Sequence, residues 1–196
     1  MERLTKDKEF VLASSSQTRI ELMKKYAKKF IAVSHSVNEA KFKELNLSPE
    51  ECAKTIARAK AQSVQHIYPK LKIIGCDQVL VCRNKLFSKP NTEKEAIQNL
   101  MELQNNVHTL FTSLVIIQNQ EIYYEIIKVA KLFFKSTSKP QIEKYVKKNK
   151  SAVFSSVGSY KIEENDKFKL VEILSGDKET IFGFPFNEFL KSNKNE

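Results

Sequence analysis

The sequence predicts a mixed α/β fold: a twisted sheet flanked by helices. Three observations carry that reading. Short apolar runs alternate with amphipathic helical stretches through the first half of the chain. Two long β-rich segments then follow one another across a polar turn, as hairpin strands do. Helix starts are marked by capping boxes, and no internal repeat, low-complexity linker or composition shift divides the chain. A single domain over 1–196 is therefore expected, with room for two lobes.

Phe10 to Ala13 is a short apolar strand, and three serines follow it. The helix from Gln17 to Lys29 carries Ile20, Leu22, Met23 and Tyr26 as its apolar stripe. Phe30 to Val33 is a second strand, and a loop passes through Asn38 and Glu39. Ser48-Pro49-Glu50-Glu51 opens the next helix, with Ser as N-cap, Pro in the first turn and Glu at the capping-box position. Cys52, Ile56, Ala59, Val64 and Ile67 are expected to face inward there, and the helix to end near Tyr68-Pro69. Ile73 to Val81 reads as a buried strand turning at Arg83-Asn84-Lys85. A capping box of Thr92 with Glu95 starts a helix running through about Gln104. Val107 to Ile117 and Glu121 to Phe134 are strands joined at Asn119-Gln120. Lys139 to Asn149 is helical, with Ile142, Tyr145 and Val146 on one face. Phe168 to Leu174 is the last strand, and a terminal helix over Asn187 to Ser192 follows the Gly183-Phe184-Pro185 turn.

A chain of 196 residues buries roughly 70% of its unfolded surface. An apolar fraction of 41% with 10% aromatics excludes a disordered protein. The charged start, Met1 to Glu9, is followed by four apolar residues only, which does not read as a signal peptide. No apolar run approaches the ~20 residues that span a bilayer. Cys52, Cys76 and Cys82 form no CxxC pair, so reduced core thiols in the cytoplasm are expected. The net charge of +10 is mostly lysine, in clusters such as Lys24-Lys25, Lys28-Lys29 and Lys147-Lys148 with Lys150. These read as solvated faces whose field would recruit a polyanion, nucleotide or nucleic acid.

Asp77 is the anomaly. Aspartate is depleted in strands, and burying its charge without a partner costs several kcal/mol. It must meet a cation, a metal ion or a donor cluster, or lie where the strand opens; the plainest partner is one of the many lysines. At the first strand's end, Ser14-Ser15-Ser16 enters a helix with Arg19 one turn in. Hydroxyls, helix-start N–H groups and a guanidinium suit an anion, although Ser16 taken alone reads as an N-cap. The run lacks the glycines and Gly-Lys-[Ser/Thr] ending of a Walker A loop. Lys60 and Lys89 each read, taken alone, as exposed lysines, with Pro90 holding Lys89 extended. Glu39 is either a solvated loop acid or a second carboxylate for a hard divalent ion such as Mg²⁺. His35, His66 and His108 show no zinc-binding spacing.

In order along the chain, these features resemble the Maf family of nucleoside triphosphate pyrophosphatases, from Phe10 to Leu190. The family's Leu-Ala-Ser-x-Ser start is similar to Leu12 to Ser16, and its following arginine to Arg19. Its acid matches Glu39, its helical lysine Lys60, and its Gly-x-Asp strand Gly75-Cys76-Asp77. Its Lys-Pro matches Lys89-Pro90, its late Gly-[Ala/Ser]-[Tyr/Phe] Gly158-Ser159-Tyr160, and its Gly-x-Pro Gly183-Phe184-Pro185. The resemblance implies two lobes around a cleft, as in inosine triphosphatase-like folds.

It also implies hydrolysis between the α- and β-phosphates of a nucleoside triphosphate, with Mg²⁺ or Mn²⁺ as cofactor. Asp77 would be general base or metal ligand, and Glu39 would help hold the ion. Ser14, Ser16, Arg19, Lys60 and Lys89 would bind the phosphates. Gln78 and the Ser159-Tyr160-Lys161-Ile162-Glu163 run resemble the branch acting on 7-methyl-GTP, with Thr18 as the third specificity position. That branch usually carries an aromatic where Thr18 stands. Further departures are Gln17 for Pro, Ile20 for a second arginine, Asn38 for an acid, and no Gly-rich tail after Glu163. For Asp77 and Gln78 to serve one pocket, their strand must end or kink between them, because strand neighbours face opposite ways. Two other readings stand beside this one: a dTTP/UTP or broad nucleotide pyrophosphatase, and a non-catalytic nucleotide- or nucleic-acid-binding regulator linked to cell division. Neither a membrane nor a specific nucleic acid is expected as partner, and pairing into a homodimer is left open.

Overall fold

The computed structural model describes residues 10–164 and 168–192. It contains the mixed α/β sheet expected from the sequence. The described residues divide into two compact units. The first takes 10–78, 112–128 and 178–192, and the second takes 79–111, 129–164 and 168–177. Each unit is discontinuous in sequence.

In the first unit β1 (Phe10–Ala13) is followed by α1 (Gln17–Tyr26), β2 (Phe30–Val33), α2 (Glu39–Lys43) and α3 (Pro49–Gln65). The strand β3 (Lys72–Cys82) enters through its first seven residues. Inner parts of β5 (Asn106–Gln118) and β6 (Glu121–Phe134) join it, and α7 (Lys178–Ile181) and α8 (Phe186–Ser192) complete the unit. The strand order is β2-β1-β3-β5-β6. β1 pairs in parallel with β2 and with β3, the latter register running from Phe10–Lys72 to Leu12–Ile74. Alternation along β3 sorts its side chains onto two faces. Ile74 and Cys76 join Leu22, Met23, Phe184 and Phe186 in one apolar cluster, while Ile73 joins Ala57, Ala61 and Val64 of α3 in another.

In the second unit β4 (Lys85–Phe87) pairs antiparallel with the end of β3. Arg83 and Asn84 both take positive φ in the two-residue turn between them, as a tight hairpin requires. Then come α4 (Glu93–Leu103), the remaining parts of β5 and β6, α5 (Lys139–Lys148), α6 (Lys150–Ser155), a 3₁₀ turn over Ile162–Glu164, and β7 (Val171–Ser175) antiparallel to β6.

Several elements depart from the sequence reading. α1 ends at Tyr26 because Ala27 already has extended backbone. The expected loop at Asn38-Glu39 is the start of α2: Asn38 accepts a hydrogen bond from the Ala40 amide, and Glu39 supplies first-turn negative charge. Along α3, Ala57, Lys60 and Ala61 are buried, Ala59 is only half-buried, and Ile67 lies beyond the helix at 54% exposure. The last strand starts at Val171 rather than Phe168, Lys169 having a φ of 51° that no strand residue adopts. All three cysteines are buried free thiols, as expected. Among the described residues no helix is long and apolar enough to cross a membrane.

Candidate active site

Gly75 brings the site together. A β-carbon there would sit 2.1 Å from the Ala57 carbonyl oxygen and 3.0 Å from Ala61. Only glycine lets α3 lie this close to β3, so the family-like Gly-x-Asp spacing has a packing cause. One helical turn past Ala57 comes Lys60; two residues past Gly75, on the same face of the strand, comes Asp77.

Both side chains are buried, each residue at 3% exposure. Lys60 Nζ donates to Asp77 Oδ1 at 2.7 Å and also lies 2.8 Å from Glu39 Oε1. His35 Nε2 stands 3.6 Å from the same Glu39 oxygen. One ammonium thus serves two carboxylates, and Lys60 is not the exposed lysine its type suggested. Asp77 Oδ2 is buried and accepts no hydrogen bond among the described residues. Burial pushes the Asp77 carboxyl above the ordinary carboxylate range, Lys60 pulls it back, and Glu39 adds to the rise.

The serine turn is equally constrained. Ser14 is buried, and its Oγ accepts the Ser16 amide at 3.1 Å. Ser16 caps α1 through a long 3.5 Å contact with the Arg19 amide. Arg19 donates Nε–H to the Gly183 carbonyl at 2.9 Å and Nη1–H to the Cys76 carbonyl at 2.7 Å. Its guanidinium therefore ties α1 to β3 and to the Gly183 turn, where a φ of +78° requires glycine. Two of its five N–H donors are used in this way. Thr18 is half-buried on the same first turn of α1.

β3 does not end or kink after Asp77; it runs unbroken from Lys72 to Cys82. Gln78 accordingly projects to the other face. Its Nε2 donates to Thr112 Oγ1 at 2.9 Å and to the carbonyls of Thr180 and Ile181 at 2.9 and 3.1 Å. Three acceptors around that nitrogen settle the amide's orientation and leave its oxygen as the atom that can meet a ligand. The sequence reading missed this clamp and the approach of His35 to Glu39. Nothing in residue spacing signals either.

Lys89 and Glu163 belong to the second unit, and both are exposed. Asn99 Nδ2 there donates to the Ser88 carbonyl at 3.4 Å and to Ser159 Oγ at 3.1 Å, which joins the segments leading to the two. The Gly158-Ser159-Tyr160 run packs the unit's core. A β-carbon on Gly158 would meet Leu80 and Tyr160 at 2.8 Å, and the Tyr160 hydroxyl lies 2.6 Å from His108 Nε2.

Among the described residues no cluster of three or more His, Cys, Asp or Glu could hold a metal by itself. Oxygen donors on two carboxylates do fit a hard divalent ion that keeps waters and takes further ligands from substrate phosphates. The unpartnered Asp77 Oδ2 is one such donor.

A family model described as Maf-like protein matches residues 9–195. The chain is 31% identical to a nucleoside triphosphate pyrophosphatase of Roseobacter denitrificans, over 92% of each chain. It is 33% identical to a 7-methyl-GTP pyrophosphatase of Bartonella henselae, over 89% of each chain. It is 32% identical to a nucleoside triphosphate pyrophosphatase of Legionella pneumophila, covering 94% of this chain and 92% of that one.

Proposed function

This chain belongs to the Maf family, and we propose that it hydrolyses a nucleoside triphosphate to the monophosphate and pyrophosphate, with 7-methyl-GTP as substrate. The observation that carries the reading is the buried Lys60 ammonium shared by Asp77 and Glu39, with one Asp77 oxygen left to act. Asp77 is the general base: it takes a proton from the attacking water as that water bonds to the α-phosphorus. The bond from that phosphorus to the bridging oxygen breaks, and pyrophosphate leaves. A carboxyl raised by burial is a stronger base than a solvated one, which suits the task.

Asp77 and Glu39 would hold the divalent cation, whose role when bound is to neutralise phosphate charge. Ser14, Ser16 and the donors of Arg19 left over from its two carbonyl bonds would bind the phosphates, each charged hydrogen bond contributing about 1.5–3 kcal/mol, and Lys89 is the phosphate ligand that the family resemblance adds. Lys60 sets the charge of the carboxylate pair.

The base specificity rests on the Bartonella relative's activity and on Gln78, Glu163 and Thr18. With its amide nitrogen clamped, Gln78 offers a carbonyl acceptor that suits the N1–H or 2-amino donor of a guanine; Glu163 is the position the family resemblance adds. Asp77 and Gln78 face opposite ways on an unkinked strand, so one nucleotide would reach both only across the β3 edge past the last β1–β3 pair, Leu12–Ile74, where Arg19 holds the Cys76 carbonyl. The test is a panel of nucleoside triphosphates, 7-methyl-GTP included, assayed with Mg²⁺ or Mn²⁺ for pyrophosphate release. Orthophosphate release in its place would overturn the proposed bond cleavage.

A further inference from the structure

Two buried polar atoms of the first unit have no hydrogen-bond partner among the described residues, and the sheet puts them in one layer. One is Asp77 Oδ2; the other is Oγ of Ser113 on β5, a fully buried residue. β3 and β5 are neighbouring strands. Gln78 reaches Thr112 across them at 2.9 Å, so positions 78 and 112 stand side by side on one face. Asp77 precedes Gln78 and Ser113 follows Thr112, so alternation turns both to the other face. Their apolar neighbours agree: Cys76 and Leu114 belong to one cluster, while Ile73 and Val115 belong to the cluster that includes Ala57 and Ala61 of α3. Side chains so placed on adjacent strands have β-carbons roughly 5–8 Å apart.

The two faces of this strand pair are built differently. On the first, the Gln78 nitrogen is clamped and the Thr112 hydroxyl donates to the Thr180 carbonyl at 2.9 Å. On the second, Lys60 holds Asp77 Oδ1, which leaves Oδ2 and the Ser113 hydroxyl to be satisfied. Alanine at position 113 would leave no hydroxyl to satisfy there, so a serine has use for a partner from outside the chain. Water fills that role in protein interiors, making about three hydrogen bonds to polar groups otherwise unsatisfied.

We infer that Ser113 Oγ and Asp77 Oδ2 together hold the water that attacks the α-phosphorus. The inference rests on Asp77 being the base, as read above. The water gives one hydrogen to Asp77 Oδ2 and the other to Ser113 Oγ, which leaves its lone pairs for phosphorus. On attack Asp77 takes the first hydrogen as a proton, the water oxygen bonds to phosphorus, and the bridging oxygen leaves with pyrophosphate. The second hydrogen stays on the new phosphate oxygen, facing Ser113. Without the serine hydroxyl the base keeps its place, but the water turns about its one remaining bond.

The experiment compares Ser113→Ala with the wild type on two readouts. In pyrophosphate release from 7-methyl-GTP, kcat is expected to fall about tenfold or more with KM held within about twofold, as for an interaction that serves attack rather than binding. Crystals of each full chain, diffracting well enough to show ordered water, are expected to hold a water within hydrogen-bond distance of both oxygens in the wild type. The variant is expected to lack it. A folded variant with undiminished kcat, beside an active wild type, would overturn the inference alone. So would a wild-type crystal in which Asp77 Oδ2 and Ser113 share no water, and this decides the matter if the variant does not fold. A wild type that releases no pyrophosphate from any nucleoside triphosphate would overturn the reading of the reaction itself.

Discussion

Replacing Gly75 with alanine tests whether the packing of α3 on β3 sets the chemistry. The added methyl carbon would stand 2.1 Å from the Ala57 carbonyl oxygen and 3.0 Å from both the Ala61 β-carbon and amide nitrogen. A carbon and a carbonyl oxygen tolerate roughly 3.3 Å, so the helix must retreat by about 1 Å. The obstacle is main chain within a 17-residue helix and has no rotamer to escape into. Overpacking of this kind costs about 1–3 kcal/mol. In a chain of this length that lowers Tm by roughly 2–10 °C. The same retreat carries Lys60 away from Asp77, stretching a 2.7 Å hydrogen bond past its useful range. A misplacement of about 1 Å in a catalytic array can cost on the order of 100-fold. The expected result is thus a moderate thermal shift with a disproportionate loss of kcat/KM for pyrophosphate release, measured well below the new Tm. Cys76→Ala is the control, since Cys76 packs on the other face of β3 and loses volume without pushing on α3. Activity of Gly75→Ala falling no further than that of Cys76→Ala would refute the coupling.

Asp77→Asn should fold, because Glu39 still accepts from Lys60, yet lose about 100-fold or more in turnover, the usual worth of a positioned base; undiminished pyrophosphate release would remove Asp77 from the role of base. Gln78→Thr combined with Glu163→Gln should move preference from 7-methyl-GTP towards pyrimidine triphosphates, read as the ratio of kcat/KM values; an unchanged ratio would remove both residues from base recognition. His108 gives a pH prediction in the second unit. Burial holds its imidazole at about 4, against about 6.5 in an unfolded chain, and the residue is fully buried. Between those values the unfolded chain binds a proton that the native chain refuses, so stability falls as pH drops from about 6.5 towards 4. The loss reaches about 3 kcal/mol, and His108→Gln should show a correspondingly flatter urea midpoint over that range; equal slopes in the two chains would rule out His108 as the cause.

The elements that were legible in the sequence are those whose signal is local. β1, β2 and the β5–β6 hairpin follow from apolar runs and a polar turn, and the α3 and α4 starts from their caps. Asp77 announced itself by being a charge in an apolar strand. Lys60 did not, because a lysine on an amphipathic helix reads as solvated. Cys52, Ile56 and Val64 are legible as the inward face of α3 and are buried, whereas Ala59 and Ile67 are not, and Gly75 draws the helix in through Ala57. The Gln78 clamp closes over 34 residues to Thr112 and over 102 to Thr180, and no spacing encodes such closure. Arg19 was legible as a cation near the serine turn. Its bonds to the Cys76 and Gly183 carbonyls were not, since carbonyl acceptors carry no residue signature.

The charge balance explains why these parts belong together. The chain carries +10, while Asp77 and Glu39 share the Lys60 ammonium and His35 Nε2 stands 3.6 Å from Glu39. Carboxylates do not draw a triphosphate in. Attraction must come from the surface field, Arg19 and the serine turn, while the cluster needs positive charge to come near the same phosphates. A buried ion pair is costly beside apolar residues of equal volume, so its presence here points to a role beyond stability. It also makes Glu39 the discriminating residue. Glu39→Gln keeps the Lys60–Asp77 hydrogen bond, so turnover should fall further than stability does. Thermal melting beside pyrophosphate release reads both, and a variant that loses stability while keeping its turnover would show that Glu39 serves the fold alone.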